Sequence, residues 1–263
     1  MADRESCLRV SILIPVYNEF RTLRAVLERV IRAELPAGCR KEIVVIDDAS
    51  TDGSAALLEQ YAGSGLVVVH HVGANRGKGA ALRTGLAQAT GDIVLVQDGD
   101  LEYDPNDYVL LLQPIVDGRA DVVYGFRDWA GMKGPNRLAN RILTLTTNLL
   151  YGAGIQDEAT AYKAFRAPVV RLVRLECVRF EFCPEITAKL RRLGYRIQEE
   201  PISYNPRGIA EGKKIRAKDG WLALWTLVRY RFARKRTFSI PAAGYQIRKG
   251  ISPGDQPRPT DAV

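Results

Sequence analysis

The sequence predicts an α/β protein with a mostly parallel central sheet flanked by helices. Three observations carry that expectation. Apolar stretches alternate with segments of helical period, strand then helix, through five strands to residue 124. One of those stretches, Ile93-Val94-Leu95-Val96, is apolar at every position, as a strand covered on both faces must be. Several strand ends carry polar, mostly acidic clusters, at the edge where open α/β sheets receive ligands.

The first strand covers residues 8–16 and closes in Pro15-Val16-Tyr17-Asn18-Glu19. Asn18 suits the N-cap of a helix whose apolar side is Leu23, Val26, Leu27, Val30 and Ile31. The second strand, 42–47, runs into Asp47-Asp48-Ala49-Ser50-Thr51-Asp52-Gly53 before a helix reaching residue 61. A third strand at 66–70 passes through the glycine-rich, basic loop Gly73-Ala74-Asn75-Arg76-Gly77-Lys78-Gly79, suited to meeting an anion, into a helix ending near residue 89. The fourth strand, 93–96, ends in Gln97-Asp98-Gly99-Asp100-Leu101-Glu102, and Pro105 suits the first position of the next helix. Residues 120–124 form a fifth strand leading to Gly125-Phe126-Arg127.

The second half is less regular. Residues 138–151 place Leu138, Ile142, Leu145 and Leu149 on one helical face. Residues 157–165 read as a turn into a strand, 179–192 as a helix and 195–202 as a strand. Residues 206–215 are polar, basic and glycine-containing, the profile of a mobile loop. A helix over 219–236 carries Trp221, Leu222, Trp225 and Val228 with the basic run Arg229, Arg231, Arg234, Lys235 and Arg236. The expected organisation is one domain over 1–236, with halves at 8–130 and 131–236, and a disordered tail over 237–263.

Chemistry concentrates after the fourth strand. In extended backbone, Asp98 and Asp100 project to the same side. Two convergent carboxylates repel unless a cation sits between them. A hard ion such as Mg²⁺ or Mn²⁺ suits oxygen ligands and is often shared with a substrate phosphate. The bland alternative is a polar turn, since Asp and Gly both favour turns. The position after a buried strand favours the metal. Asp47 is open to either a ligand contact or a turn role, and Lys78 to a ligand role or a solvated helix start. Glu181 and Glu185, one turn apart, line a pocket or pair with Lys189 or Arg191. His70 and His71 end a strand and read as structural or exposed. The first strand lacks the G-x-G-x-x-G of a dinucleotide site, and Gly77-Lys78-Gly79 is not a P-loop.

A formal net charge of +8 calls for an anionic partner, which could be nucleic acid, a membrane surface or a phosphorylated substrate. Acids at the strand ends would repel a nucleic-acid backbone, so no nucleic-acid partner is expected. Four cysteines (Cys7, Cys39, Cys177, Cys183) lack zinc spacing and accompany two histidines, which suits a reducing cytoplasm without disulfides. Residues Met1 to Glu5 lack a signal-peptide core, and no apolar run nears the roughly 20 residues of a membrane span. The expectation is a chain that does not cross the bilayer.

Four clusters occur together: Pro15-Val16-Tyr17-Asn18-Glu19, Asp47 to Gly53, Asn75-Arg76-Gly77-Lys78-Gly79, and Gln97 to Pro105. In this order and spacing they resemble the family 2 glycosyltransferases, and within them the polyprenyl-phosphate (dolichyl-phosphate) sugar synthases. Weaker matches follow at Gly125-Phe126-Arg127, 157–165, Phe180 to Glu185, and Glu211-Gly212-Lys213-Lys214. The resemblance implies a GT-A fold, Rossmann-like, with 8–130 binding the nucleotide sugar and 131–236 the acceptor. It implies Pro15, Tyr17, Glu19 and Asp48 beside the nucleotide. Asp98, Gly99 and Asp100 match the D-x-D motif, with Glu102 near the metal, Mg²⁺ or Mn²⁺. Arg127 matches an arginine that holds the acceptor phosphate, and Arg207, Lys213 and Lys214 resemble a loop that closes over the donor.

The implied reaction moves mannose or glucose, with inversion, from a GDP- or UDP-sugar to a polyprenyl phosphate; a soluble or saccharide hydroxyl acceptor is the alternative. A lipid monophosphate is already an oxyanion at neutral pH and needs a cationic clamp rather than a base. Arg127, Arg137 and Arg141 fit that need. The amphipathic helices at 138–151 and 219–236 suit an interfacial position on the inner face of the membrane, with ordinary core packing as the alternative.

Overall fold

A computed structural model of the chain describes residues 7–63, 65–129, 132, 134–206 and 217–240. Its strands are β1 (Leu8–Val16), β2 (Cys39–Asp47), β3 (Val67–His71), β4 (Ile93–Val96), β5 (Val122–Arg127), β6 (Lys163–Arg166) and β7 (Gln198–Ile202). The helices are α1 (Phe20–Arg32), α2 (Ser54–Glu59), α3 (Lys78–Gln88), α4 (Tyr108–Val116), α5 (Gly134–Tyr151), α6 (Ala167–Arg171), α7 (Phe182–Leu193) and α8 (Ala217–Phe232).

The strands form one sheet in the order β3-β2-β1-β4-β6-β5-β7. The first four are mutually parallel, so their carboxyl ends share one edge; Val16 pairs with Asp47, and Leu13 with Val96. β6 runs antiparallel to both β4 and β5, and β7 is parallel to β5. Strand side chains alternate between faces, which separates two apolar layers. Ile12 and Ile14 pack with Leu23 and Leu27 of α1 and Leu111 and Leu112 of α4. Leu13, Val94 and Val96 face Ala81 and Leu82 of α3 and Ile186 and Leu190 of α7. All four residues of β4 are buried, as a doubly covered strand requires.

Two local expectations change. Asn18 does not cap α1. Its backbone has positive φ (51°), and its Oδ1 accepts from Thr51 N at 2.7 Å. The free amide of Phe20 goes instead to Asp52 Oδ2 at 3.0 Å, a cap supplied from the next loop. The ordered chain also runs past residue 236. Phe238 is fully buried beside Tyr230, and Arg174 N donates to its carbonyl at 2.8 Å, so apolar burial holds the start of the expected tail. Residues 241–263 lie outside the described residues.

Candidate active site

The loops after β1 and β2 are stitched together at the carboxyl edge of the sheet. Asn18 N donates to Ser50 Oγ at 3.0 Å and Glu19 N to Ser54 Oγ at 3.1 Å. Pro15, Tyr17 and Glu19 lie half-buried along this edge. Asp47 is buried at the end of β2. Its carboxylate accepts from Ser50 N and meets His71 Nδ1 at 2.9 Å, while His71 Nε2 reaches Glu59 at 2.8 Å. The bond to Asp47, opposed by partial burial and aided by Glu59, raises the His71 pKa. The bland turn reading is the geometry observed for Asp47.

Asp48 reaches the third strand's loop, accepting from Arg76 N at 2.9 Å and Gly77 N at 2.6 Å. The next free amides of α3, on Gly79 and Ala80, donate to the carbonyls of Arg179 and Val178. The amides of Arg76, Gly77 and Gly79, in the loop suited to an anion, and that of Ala80 therefore bond within the protein. The approach is close enough to require glycine at 77: φ is +94°, and a Cβ there would stand 2.6 Å from Val178 O. Glu181 and Glu185 line a pocket with Trp225 and Tyr230 and also hold backbone amides. Glu181 accepts from Val178 N and Arg179 N, and Glu185 from Glu176 N and Cys177 N. Glu185 also pairs with Lys189, with both side chains buried.

Strand β4 stops at Val96, so Asp98 and Asp100 lie beyond its end, where the chain bends from Gly99 on. Gly99 lets that bend lie against β1: a Cβ would meet Pro15 O at 3.2 Å and Glu19 Cγ at 3.7 Å. Asp98 Oδ1 receives Lys78 Nζ at 2.5 Å, each side chain about one-fifth exposed. Burial alone would lower the Lys78 pKa; Asp98, with Cys183 and Asp100 behind it, outweighs burial and the net shift is upward. Lys78 thus supplies the positive charge beside one of the two acids. Asp100, 8% exposed, accepts from Glu102 N at 3.0 Å, and Glu102 Oε2 accepts from Tyr204 OH at 3.2 Å.

Among the described residues no three His, Cys, Asp or Glu side chains are grouped to cage a metal by themselves. The donor set still fits Mg²⁺ or Mn²⁺, which commonly takes one or two carboxylates and fills its sphere with water and substrate phosphate. Asp98, Asp100 and Glu102 are the carboxylates at this bend that could contribute oxygens to such an ion.

Arg127 departs from expectation. Its Nε and NH2 groups donate to the two oxygens of Asp157 at 2.6 and 2.8 Å, and its backbone N adds a third bond at 3.2 Å. NH1 lies 3.3 Å from Tyr103 OH, and the guanidinium stacks 4.8 Å over the Tyr204 ring. Only 6% of the side chain is exposed, so this arginine serves a buried pair rather than an open anion site. A fork of donors finds its best partner in a carboxylate, and Asp157 is one. Arg137 and Arg141 are exposed on the first turns of α5. Arg207, Lys213 and Lys214 lie outside the described residues.

Sequence reasoning passed over Asp157, Tyr103 and Tyr204, which surround Arg127, and Glu158. Glu158 is fully buried. Its backbone N donates to Thr144 Oγ1, its Oε1 accepts from Thr187 Oγ1 at 2.8 Å, and its Oε2 has no partner. Desolvation, eased by Lys163, Thr187 and Thr147, raises its pKa to about 7. The adjacent acids Asp157-Glu158 ahead of an apolar strand were the available signal.

A mostly parallel sheet with these acidic strand ends is the architecture of GT-A nucleotide-sugar transferases. Residues 11–175 match Glycosyl transferase family 2, and the chain belongs to that family. It is 35% identical over 182 residues to undecaprenyl-phosphate 4-deoxy-4-formamido-L-arabinose transferase of Pseudomonas aeruginosa, covering 66% of this chain and 52% of the relative. Identity to the enzyme of the same name from Edwardsiella ictaluri is 31%, covering 81% and 65%. Identity to dodecaprenyl-phosphate galacturonate synthase of Rhizobium johnstonii is 28%, covering 69% and 55%. The chain thus spans about half to two-thirds of the length of these relatives. Its fold is similar to glucosyl-3-phosphoglycerate synthase of Mycobacterium tuberculosis in complex with Mn²⁺, UDP-glucose and phosphoglyceric acid. That match has TM-score 0.65 and 21% identity, covering 90% of this chain and 82% of that one.

Proposed function

We propose that this chain is a divalent-metal-dependent, inverting glycosyltransferase. It moves a hexose, mannose or glucose, from a GDP- or UDP-sugar onto a polyprenyl phosphate at the cytoplasmic face of a membrane. The observation that carries the donor half is the bend after β4, where Asp98 holds Lys78 and Asp100 stands beside it. Asp100, with the second oxygen of Asp98, would hold Mg²⁺ or Mn²⁺, which when bound neutralises the diphosphate leaving group. Pro15, Tyr17 and Glu19 border the base, and Lys78 keeps Asp98 oriented. Arg207, Lys213 and Lys214 close over the donor in this reading.

The sequence relatives support the acceptor, since their names carry prenyl phosphates. With Arg127 committed to Asp157, the exposed Arg137 and Arg141 become the clamp for the lipid phosphate. The similar solved structure, a complex with phosphoglyceric acid, supports the alternative more directly: a soluble or saccharide hydroxyl acceptor. Transfer from a panel of GDP- and UDP-sugars with Mn²⁺ onto polyprenyl phosphate, measured beside soluble acceptors, separates the two. Activity confined to the soluble panel rejects the lipid acceptor. Asp100→Asn is expected to lower either activity more than about 100-fold, since a metal supplies several kcal/mol to the transition state. Full activity in that variant rejects the donor site.

A further inference from the structure

Strand β6 runs antiparallel beside β4, so its start meets the end of β4. Val94 pairs with Phe165 and Leu95 with Ala164, and the same register carried onward sets Gln97 opposite Tyr162. Both side chains are fully buried. Tyr162 OH donates to Gln97 Oε1 at 2.6 Å, and Tyr108 OH, at the start of α4, donates to the same oxygen at 2.6 Å. Gln97 Nε2 in turn donates to the carbonyl of Asp98 at 2.9 Å. That carbonyl can only accept, so the amide nitrogen must face it and the amide oxygen must face the two hydroxyls. The glutamine is thereby held in one orientation, and it holds the peptide joining Asp98 to Gly99.

The same tyrosine holds the other end of the bend. The Tyr103 ring stacks on that of Tyr162, with centroids 4.6 Å apart and planes inclined by 25°, and Ala161 N donates to Tyr103 OH at 3.0 Å. The carbonyl of Tyr162 accepts from Gly125 N at 2.8 Å, which ties this clamp to β5. Residues 98–102 therefore run between two anchors, Gln97 and Tyr103, that both rest on Tyr162. The span contains Gly99, the most permissive of residues, and both acids of the proposed metal site. Like charges on those acids would drive an unanchored bend open. A bend fixed at both ends keeps the two carboxylates together before an ion arrives, so the cost of ordering them does not fall on binding.

We propose that Tyr162, acting through Gln97 and Tyr103, is a positioning residue that presets the Asp98–Asp100 bend for a divalent cation. The inference rests on the donor half of the proposed function and adds to it a side chain 65 positions beyond Gln97. Tyr162 touches neither acid; its effect is on where they stand.

The test titrates the full chain with Mn²⁺ in the presence of UDP and, in parallel, GDP. Water-proton relaxation reads the protein-bound ion apart from the free nucleotide complex. Tyr162→Phe removes one hydroxyl and keeps the stacked ring. It should weaken Mn²⁺ binding about five-fold, the scale of one buried hydrogen bond, and speed amide exchange over 97–103. Gln97→Met should weaken binding at least as much. Tyr162→Phe added to Gln97→Met should cause no further loss, because the hydroxyl then has no glutamine to hold. Tyr124→Phe is the control for lost stability, since it takes a buried hydroxyl from Thr187 in the other apolar layer. It should lower the melting temperature and leave both Mn²⁺ binding and exchange over 97–103 unchanged. Unaltered Mn²⁺ affinity in Tyr162→Phe, an equal loss in Tyr124→Phe, or additive losses in the double variant overturns this inference and leaves the donor reading standing. A wild-type chain that binds no Mn²⁺ with either nucleotide rejects the donor reading, and this inference with it.

Discussion

Replacing Asp157 by asparagine tests whether Arg127 is held as structure or kept free for a ligand. Asp157 is fully buried and accepts three bonds from Arg127, two of them from the guanidinium, whose side chain is 6% exposed. Asparagine keeps one oxygen, turns an amide donor toward the guanidinium and leaves a buried cation without a counter-charge. Hydrogen bonds to charged groups contribute about 1.5–3 kcal/mol each, and one-sided loss of a buried ion pair costs about 3–5 kcal/mol. Stability is commonly only about 5–15 kcal/mol, so the loss is a large share of the total. Removing both partners, as Arg127→Met with Asp157→Leu, removes the stranded charge and should restore stability close to wild type. Urea unfolding of the wild type, both single variants and the double variant supplies the coupling energy, expected above about 2 kcal/mol. An Asp157→Asn cost below about 1 kcal/mol, or a double variant as unstable as the sum of the singles, refutes the reasoning.

Three further outcomes are expected. Glu158→Gln should remove a pH dependence: a buried carboxyl whose pKa rises from 4.5 to about 7 favours its protonated form in the fold, so its contribution is full below about 4.5 and is lost as pH climbs through 7. The variant should match wild type at pH 4.5 and exceed it by about 3 kcal/mol at pH 8, read from urea midpoints; a flat difference across pH contradicts this. Lys78→Met should tighten binding of Mn²⁺ alone, because the ammonium competes for Asp98, yet weaken binding of UDP with Mn²⁺ about ten-fold, or about 1.4 kcal/mol by calorimetry. Gly77→Ala should cost about 1–3 kcal/mol in thermal or urea melts, since φ is +94° and Val178 O stands 2.6 Å from the new methyl.

Several departures from expectation share one origin, long-range pairing. The strand positions and the acids at their ends were legible because apolar periodicity and turn chemistry are local. β4 is such a case: its four apolar residues, 93–96, are all buried. Asp98 and Asp100 were found by type and place, just beyond the end of the strand at Val96. Lys78 was left open between ligand and surface, and only the approach of α3 to the β4 bend puts it on Asp98. Arg127 was matched to a phosphate clamp because its partner, Asp157, lies 30 residues away and belongs to the antiparallel insertion ending in β6.

Composition and periodicity alone determined an α/β chain, the order of its elements and the edge at which its acids collect. They also drew the apolar stripe on α5, yet a stripe has no inside or outside until something packs against the helix. Tertiary structure decided that, by burying Thr144 and Thr147, with Glu158 N donating to Thr144 Oγ1, and leaving the leucines on the surface. Helical period specifies which residues share a face, whereas burial depends on which neighbours can satisfy the polar atoms behind it.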